Sequence, residues 1–172
     1  MSRYRLTLGL ALTLTGAMAG CGSSTAPEVV DADFYSCAEE TRATPYQPGM
    51  SVTSRDGRFV IKVLDSTWTD ATGKVISEAP AKGTNVWTLE VDDAATLLPV
   101  DGLQINVTPK MPDHRHGTST VAVTPSGSGV YTLNPLYLYM VGYWEITLDL
   151  TEAASATAPA PDSAMFHLCV SG

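Results

Sequence analysis

The stretch Lys110-Met111-Pro112-Asp113-His114-Arg115-His116-Gly117 gathers the side chains best suited to chemistry. It holds two of the three histidines in the chain, with a methionine three positions before the first of them. Neutral imidazole suits copper and zinc, and a thioether sulfur selects the soft ion Cu(I). In an extended backbone a His-x-His pair places both rings on one side. Pro112 and Gly117 bracket a loop of defined shape. Two readings are open at this point: Met111, His114 and His116 are metal ligands, or Pro112 and Gly117 shape a turn whose histidines are simply solvated.

Such a loop needs a frame, and hydrophobic alternation with period two supplies one. Phe59, Ile61 and Val63 alternate with Arg58, Val60 and Lys62. Trp87, Leu89 and Val91 do the same, as do Leu103, Ile105 and Val107, and then Val121 and Val123. A further strand starts at Val130 and ends at Leu133. Trp144, Ile146, Leu148 and Leu150 follow, and Phe166, Leu168 and Val170 close the chain. The fold class predicted is all-β, an immunoglobulin-like antiparallel β-sandwich of about seven strands. Pro125 to Gly129 is expected to be a tight hairpin turn, and Thr151 to Asp162 a loose Ala/Pro-rich loop. If successive strands reverse direction, alternate connections share one end of the sandwich. The His loop is the third connection, and Asn134 to Gly142, which carries Tyr137, Tyr139 and Met140, is the fifth. Met140 then joins Met111, His114 and His116 in a Met/His cluster, or it plugs the core beneath the loop.

The N-terminus speaks to location. Arg3 and Arg5 precede an apolar run from Leu6 to Thr15, and small residues lead to Cys21, the pattern of a signal peptide. The run Met18-Ala19-Gly20-Cys21 resembles a bacterial lipobox. That resemblance implies a signal peptide over residues 1–20, a lipidated Cys21 and a Ser/Thr/Ala/Pro-rich tether over residues 21–33. Gly22 after the cysteine implies the outer membrane. The protein is expected in the cell envelope, facing periplasm or surface. With Cys21 lipidated, Cys37 and Cys169 remain as an even pair in an oxidising compartment. They are read as a disulfide at the two ends of the domain, the alternative being two free thiols or metal ligands. Cys169 has the parity of His167 and Met165, which puts the bridge on the outer face. His167 is therefore left out of the Met/His cluster.

The segments Asn85-Val86-Trp87-Thr88-Leu89-Glu90-Val91, Pro99-Val100-Asp101-Gly102-Leu103-Gln104-Ile105-Asn106-Val107 and Met111-Pro112…His114…His116-Gly117 resemble the YtkA-like domain, related to the FixH-type extracytoplasmic domain. Gly129-Val130-Tyr131 and Met140-Val141-Gly142-Tyr143-Trp144 fit the same pattern. The resemblance covers roughly residues 83 to 150 and implies a small immunoglobulin-like extracytoplasmic domain, with bounds expected at residues 34–172, of a kind often anchored to the membrane and sometimes found near copper-handling systems. It supplies no catalytic residue.

Composition narrows the classes further. Of 172 residues, 44% are hydrophobic and 16% charged, which suits one packed domain, and the net charge of −8 argues against a nucleic-acid partner. There is no Gly-x-Ser-x-Gly elbow and no phosphate-cradling loop, so no enzyme is expected. Asp92, Asp93 and Asp101 read as turn formers rather than as a Ca²⁺ site. What remains is a lipid-anchored binding module of the envelope. Its loop end either holds copper through Met111, His114, His116 and Met140, or presents the Tyr/His surface to a protein partner without metal.

Overall fold

The computed structural model describes residues 36–152 and 160–171. The signal peptide, the lipidated Cys21 and the tether expected before residue 34 lie outside the described residues, as does most of the loop expected after Thr151. A short 3₁₀ turn, Cys37–Glu39, precedes ten strands: β1 (Ser51–Thr53), β2 (Phe59–Thr69), β3 (Val75–Ser77), β4 (Gly83–Asp93), β5 (Gln104–Met111), β6 (His116–Gly117), β7 (Val123–Gly127), β8 (Val130–Leu138), β9 (Gly142–Thr151) and β10 (Asp162–Val170). One sheet runs β1-β2-β4-β8-β7, with β3 also paired to β2, and the other runs β10-β9-β5-β6. Every pairing is antiparallel.

The expected sandwich is therefore the observed one, with ten strands among the described residues in place of about seven. The seven alternating runs are β2, β4, β5, β7, β8, β9 and β10. The additional strands β1, β3 and β6 are three, three and two residues long. A run that short contains little more than one repeat of a two-residue period, so alternation cannot reveal it. A second correction concerns β8, which continues through Asn134 to Leu138 where a connection was expected. The turn itself is confined to residues 139–141. The pairing Trp87↔Leu133 is followed by Asn85↔Leu136, so β8 carries one extra residue around Asn134 and Pro135. A bulge is where a strand tolerates proline, because the missing N–H then costs no ladder bond.

The inward faces of the two sheets make the core. Trp144, Ile146, Leu148 and Leu150 of β9 are fully buried, facing Trp87, Leu89 and Val91 of β4. Trp87 meets Phe166 of β10 edge-on across the sheets, with ring centroids 5.5 Å apart, a geometry the aromatic quadrupole favours. Tyr131 is also buried, and its hydroxyl donates to the Val100 carbonyl at 2.8 Å and accepts from the Leu103 N–H at 3.1 Å. That ties the β4–β5 connection to β8. Asp101 in the same connection accepts the Ser128 and Gly129 N–H groups at 3.2 and 2.8 Å. Asp93 accepts from the N–H groups of Ala95 and Thr96. Both carboxylates are turn formers, as their spacing suggested.

Candidate functional site

The β5–β6 hairpin carries the His-x-His pair. Pro112 ends the β5 ladder because it has no N–H to offer. The turn is closed by the His114 N–H to the Met111 carbonyl at 3.3 Å and the Arg115 N–H to the Pro112 carbonyl at 3.2 Å. Arg115 takes the left-handed conformation, φ 57°, and the chain re-enters the sheet with His116 opposite Met111 and Gly117 opposite Lys110. Gly117 is required there, since a Cβ would fall 2.8 Å from the Pro109 carbonyl oxygen.

His114 and His116 are both exposed, and their ring centroids lie 5.7 Å apart with the planes tilted by 51°. That separation falls in the range of about 5–6 Å that two imidazoles sharing one ion through nitrogens at about 2.0–2.1 Å span at wide angles. Met111 is placed differently, with only 1% of its surface exposed. Its Cε packs against Gly142, where an added Cβ would lie 3.0 Å away. Met140 is 37% exposed, in the turn between β8 and β9, where its carbonyl accepts the Trp144 indole N–H at 3.0 Å. The Met111–Gly142 contact and the pairing of Lys110 with Glu145 bring hairpin and turn to one end of the sandwich. Tyr137 and Tyr139 stack there at 5.2 Å. Among the described residues, no three His, Cys, Asp or Glu side chains converge as a metal cage.

Sequence reasoning missed Arg42. Its guanidinium grips both carboxylate oxygens of Asp113, next to His114, at 2.8 and 2.7 Å. On its other side it holds Glu40 at 2.9 and 2.7 Å, and it lies over the Tyr143 ring, 4.1 Å from the centroid. The Arg42 fork beside Glu40 lowers that carboxyl to about 2, and the same guanidinium depresses Asp113. The hydrogen bonds it donates to Asp113 and Glu40 in turn raise Arg42 above its usual range. Tyr143, pushed up by burial and by Glu145, shares a hydrogen bond with His167 Nδ1. No spacing rule could have found Arg42, because it lies 71 residues from Asp113 in sequence.

The segment bearing Arg42 is pinned to β10 at both ends. Cys37 is bonded to Cys169, as the cysteine count suggested, and the Thr44 N–H donates to the His167 carbonyl at 2.9 Å. Ordering the backbone between those pins costs about 1–2 kcal/mol per residue. Exposed ion pairs contribute little net stability, because two long side chains must be held still in a high dielectric. The covalent pin offsets part of that cost.

The chain matches the model of the YtkA-like family over residues 65–149. No curated protein and no solved structure matches it. The matched segment runs from within β2 to within β9. It contains the His hairpin and the β8–β9 turn, and leaves out Arg42, β10 and both bridged cysteines. Residues 65–149 of this chain thus match the YtkA-like family, and the sandwich extends beyond them on both sides.

Proposed function

We propose that this chain is a lipid-anchored binding module of the cell envelope that holds Cu(I) at its His114/His116 hairpin for transfer or sequestration. The observation that carries the reading is the exposed imidazole pair at 5.7 Å. Two nitrogen donors with an optional thioether suit Cu(I), a soft ion that accepts two or three ligands, better than zinc, which takes four. Arg115 between the histidines weighs against a divalent ion twice as heavily as against a monovalent one. With Met111 packed in the core, the thioether at hand is that of Met140. The YtkA-like segment supports an extracytoplasmic setting, and so does a disulfide, which persists in oxidising compartments. Binding is the reading here, with no catalytic step assigned.

The test is an anaerobic titration of the compact unit Asp31–Gly172 with Cu(I), alongside His114→Ala/His116→Ala. One equivalent bound tighter than about micromolar, roughly −8 kcal/mol, and lost in the variant is the expected result. Equal weak binding by both proteins removes the site. Mass spectrometry of the membrane fraction tests the anchor, and an unmodified chain that retains residues 1–20 contradicts it.

A second reading has its own observation. Tyr137 and Tyr139 are stacked within 12° of parallel, and Tyr139 is 48% exposed beside Met140. A fixed aromatic ledge of this kind suits a protein interface free of metal. On that reading, Tyr139→Ala removes an envelope crosslink that His114→Ala/His116→Ala retains.

A further inference from the structure

We propose that Arg42 is the positioning residue of the His114/His116 hairpin, and that the Cys37–Cys169 disulfide decides whether Arg42 can act. The hairpin is then gated by redox state. This rests on reading the hairpin as the binding site, and it adds how that site is held ready.

The hairpin has few supports of its own. β6 is two residues long, and it pairs with β5 only at Met111 and Lys110. Between those pairs, the tip from Pro112 to Arg115 is closed by two hydrogen bonds of 3.3 and 3.2 Å, at the long end of the useful range. The contact that fixes the tip from outside is Arg42, which takes both oxygens of Asp113 at 2.8 and 2.7 Å. Two parallel N–H···O bonds set direction as well as distance. Asp113 is therefore oriented, and His114 follows it directly in the chain.

Arg42 can do this only while its own segment is in place. Its other partners are Glu40, on the same segment, and the face of Tyr143. Covalent closure at Cys37 and one backbone bond at Thr44 hold the segment against β10. With the disulfide open, the backbone bond at Thr44 and the pairs that Arg42 makes with Glu40 and Asp113 are left to hold the chain from Ala38 to Ala43 against about 1–2 kcal/mol of backbone entropy per residue. The bridge is open to exchange, because both cysteines line a surface cavity of about 200 Å³ together with Glu40, Thr44 and Pro45. A dithiol reductant supplies the step. Its thiolate attacks one sulfur, the Cys37–Cys169 bond breaks, two protein thiols form, and the reductant leaves as its own disulfide, having given up two electrons. Arg42, Cys37 and Cys169 all lie outside residues 65–149, so the gate is carried by the flanks of the YtkA-like segment.

The test is amide hydrogen exchange on the metal-free protein, read at His114 and Arg115. Four proteins are compared: the native protein, Cys37→Ser/Cys169→Ser, Arg42→Gln, and the two changes combined. Arg55→Gln, which breaks an ion pair with Asp56, serves as control, and Ile146 in β9 reports global folding. The expected result is exchange at the tip faster by about tenfold in the serine pair and in Arg42→Gln alike, with no further gain when they are combined. Arg55→Gln should leave the tip unchanged, and Ile146 should stay unchanged in Arg42→Gln and speed up in the serine pair only as its lower global stability requires. Additive effects, or a tip protected as well in Cys37→Ser/Cys169→Ser as in the native protein, would overturn the gate. If the serine pair unfolds, Arg42→Gln keeps the bridge and still tests the clamp. Cu(I) titration of the same proteins gives the second readout, and serines avoid adding thiolate ligands. Affinity should fall by the factor by which the ordered tip is depopulated. A hairpin that loosens as expected but never binds copper contradicts the binding reading alone.

Discussion

Glu40 is the group through which acid reaches the Arg42 clamp. Its carboxyl lies at about 2, against an ordinary value of 4.5, because Arg42 hydrogen-bonds the ionised form. A depressed folded-state value means that its contribution to stability is complete above about 4.5 and is lost as pH falls through about 2. Asp113 is shifted in the same direction by the same partner. Carboxyl-carbon NMR should accordingly show Glu40 titrating well below the ordinary range in the native protein and near it in Arg42→Gln. A Glu40 that titrates normally in both would remove the clamp. At this scale the sequence was more legible than the metal motif suggested. Leu103, Ile105 and Val107 define an inward parity that continues through Pro109 to Met111, and the structure buries Met111 accordingly. Beyond Pro112 the ladder ends, and with it the parity that could have oriented His114 and His116. Arg42 was illegible for a different reason, since its partners meet only when β5, β9 and the N-terminal segment have come together.

Hairpins fix what the strands can present. The β7–β8 turn uses Ser128 and Gly129, both at positive φ, 55° and 72°, the pairing that matches the twist of adjacent strands. Gly129 has a second constraint, because a Cβ there would meet the Val91 carbonyl oxygen at 2.7 Å and Pro99 at 2.9 Å. Gly129→Ala should therefore destabilise by at least about 1–2 kcal/mol in urea denaturation, more than the left-handed penalty alone. A variant as stable as the native protein would show that the turn relaxes freely. The Pro-Ser-Gly-Ser-Gly run announced this turn because its residue types tolerate that backbone. The end of β8 gave no such notice. Pro135 reads as a strand breaker in sequence, and only the extra residue accommodated against β4 lets the strand continue to Leu138.

At the largest scale, the described residues rest on one core and one covalent closure. Trp87 and Phe166 are fully buried and join the sheets at its centre, so Trp87→Ala should cost about 3–5 kcal/mol. The Cys37–Cys169 bridge spans a sequence separation of 132 residues. Its loss should cost about 2–5 kcal/mol, with loop-closure entropy setting the upper end. Equilibrium denaturation of the serine pair checks this, and an unchanged midpoint would mean that the bridge constrains nothing. The sandwich class, the bridge and the shared end of hairpin and turn could be read from alternation, cysteine count and strand reversal. What the shared end binds is tested at the imidazoles themselves. The chain has three histidines, and the third, His167, is engaged with Tyr143 on the outer face of β10, which makes it an internal reference. The most direct measurement follows the ring resonances of all three by NMR during anaerobic Cu(I) addition. Shifts in His114 and His116 that rise together and saturate at one equivalent, with His167 unmoved, are the result expected of a copper-holding hairpin. Three rings moving in parallel without saturation, or none moving, would contradict it.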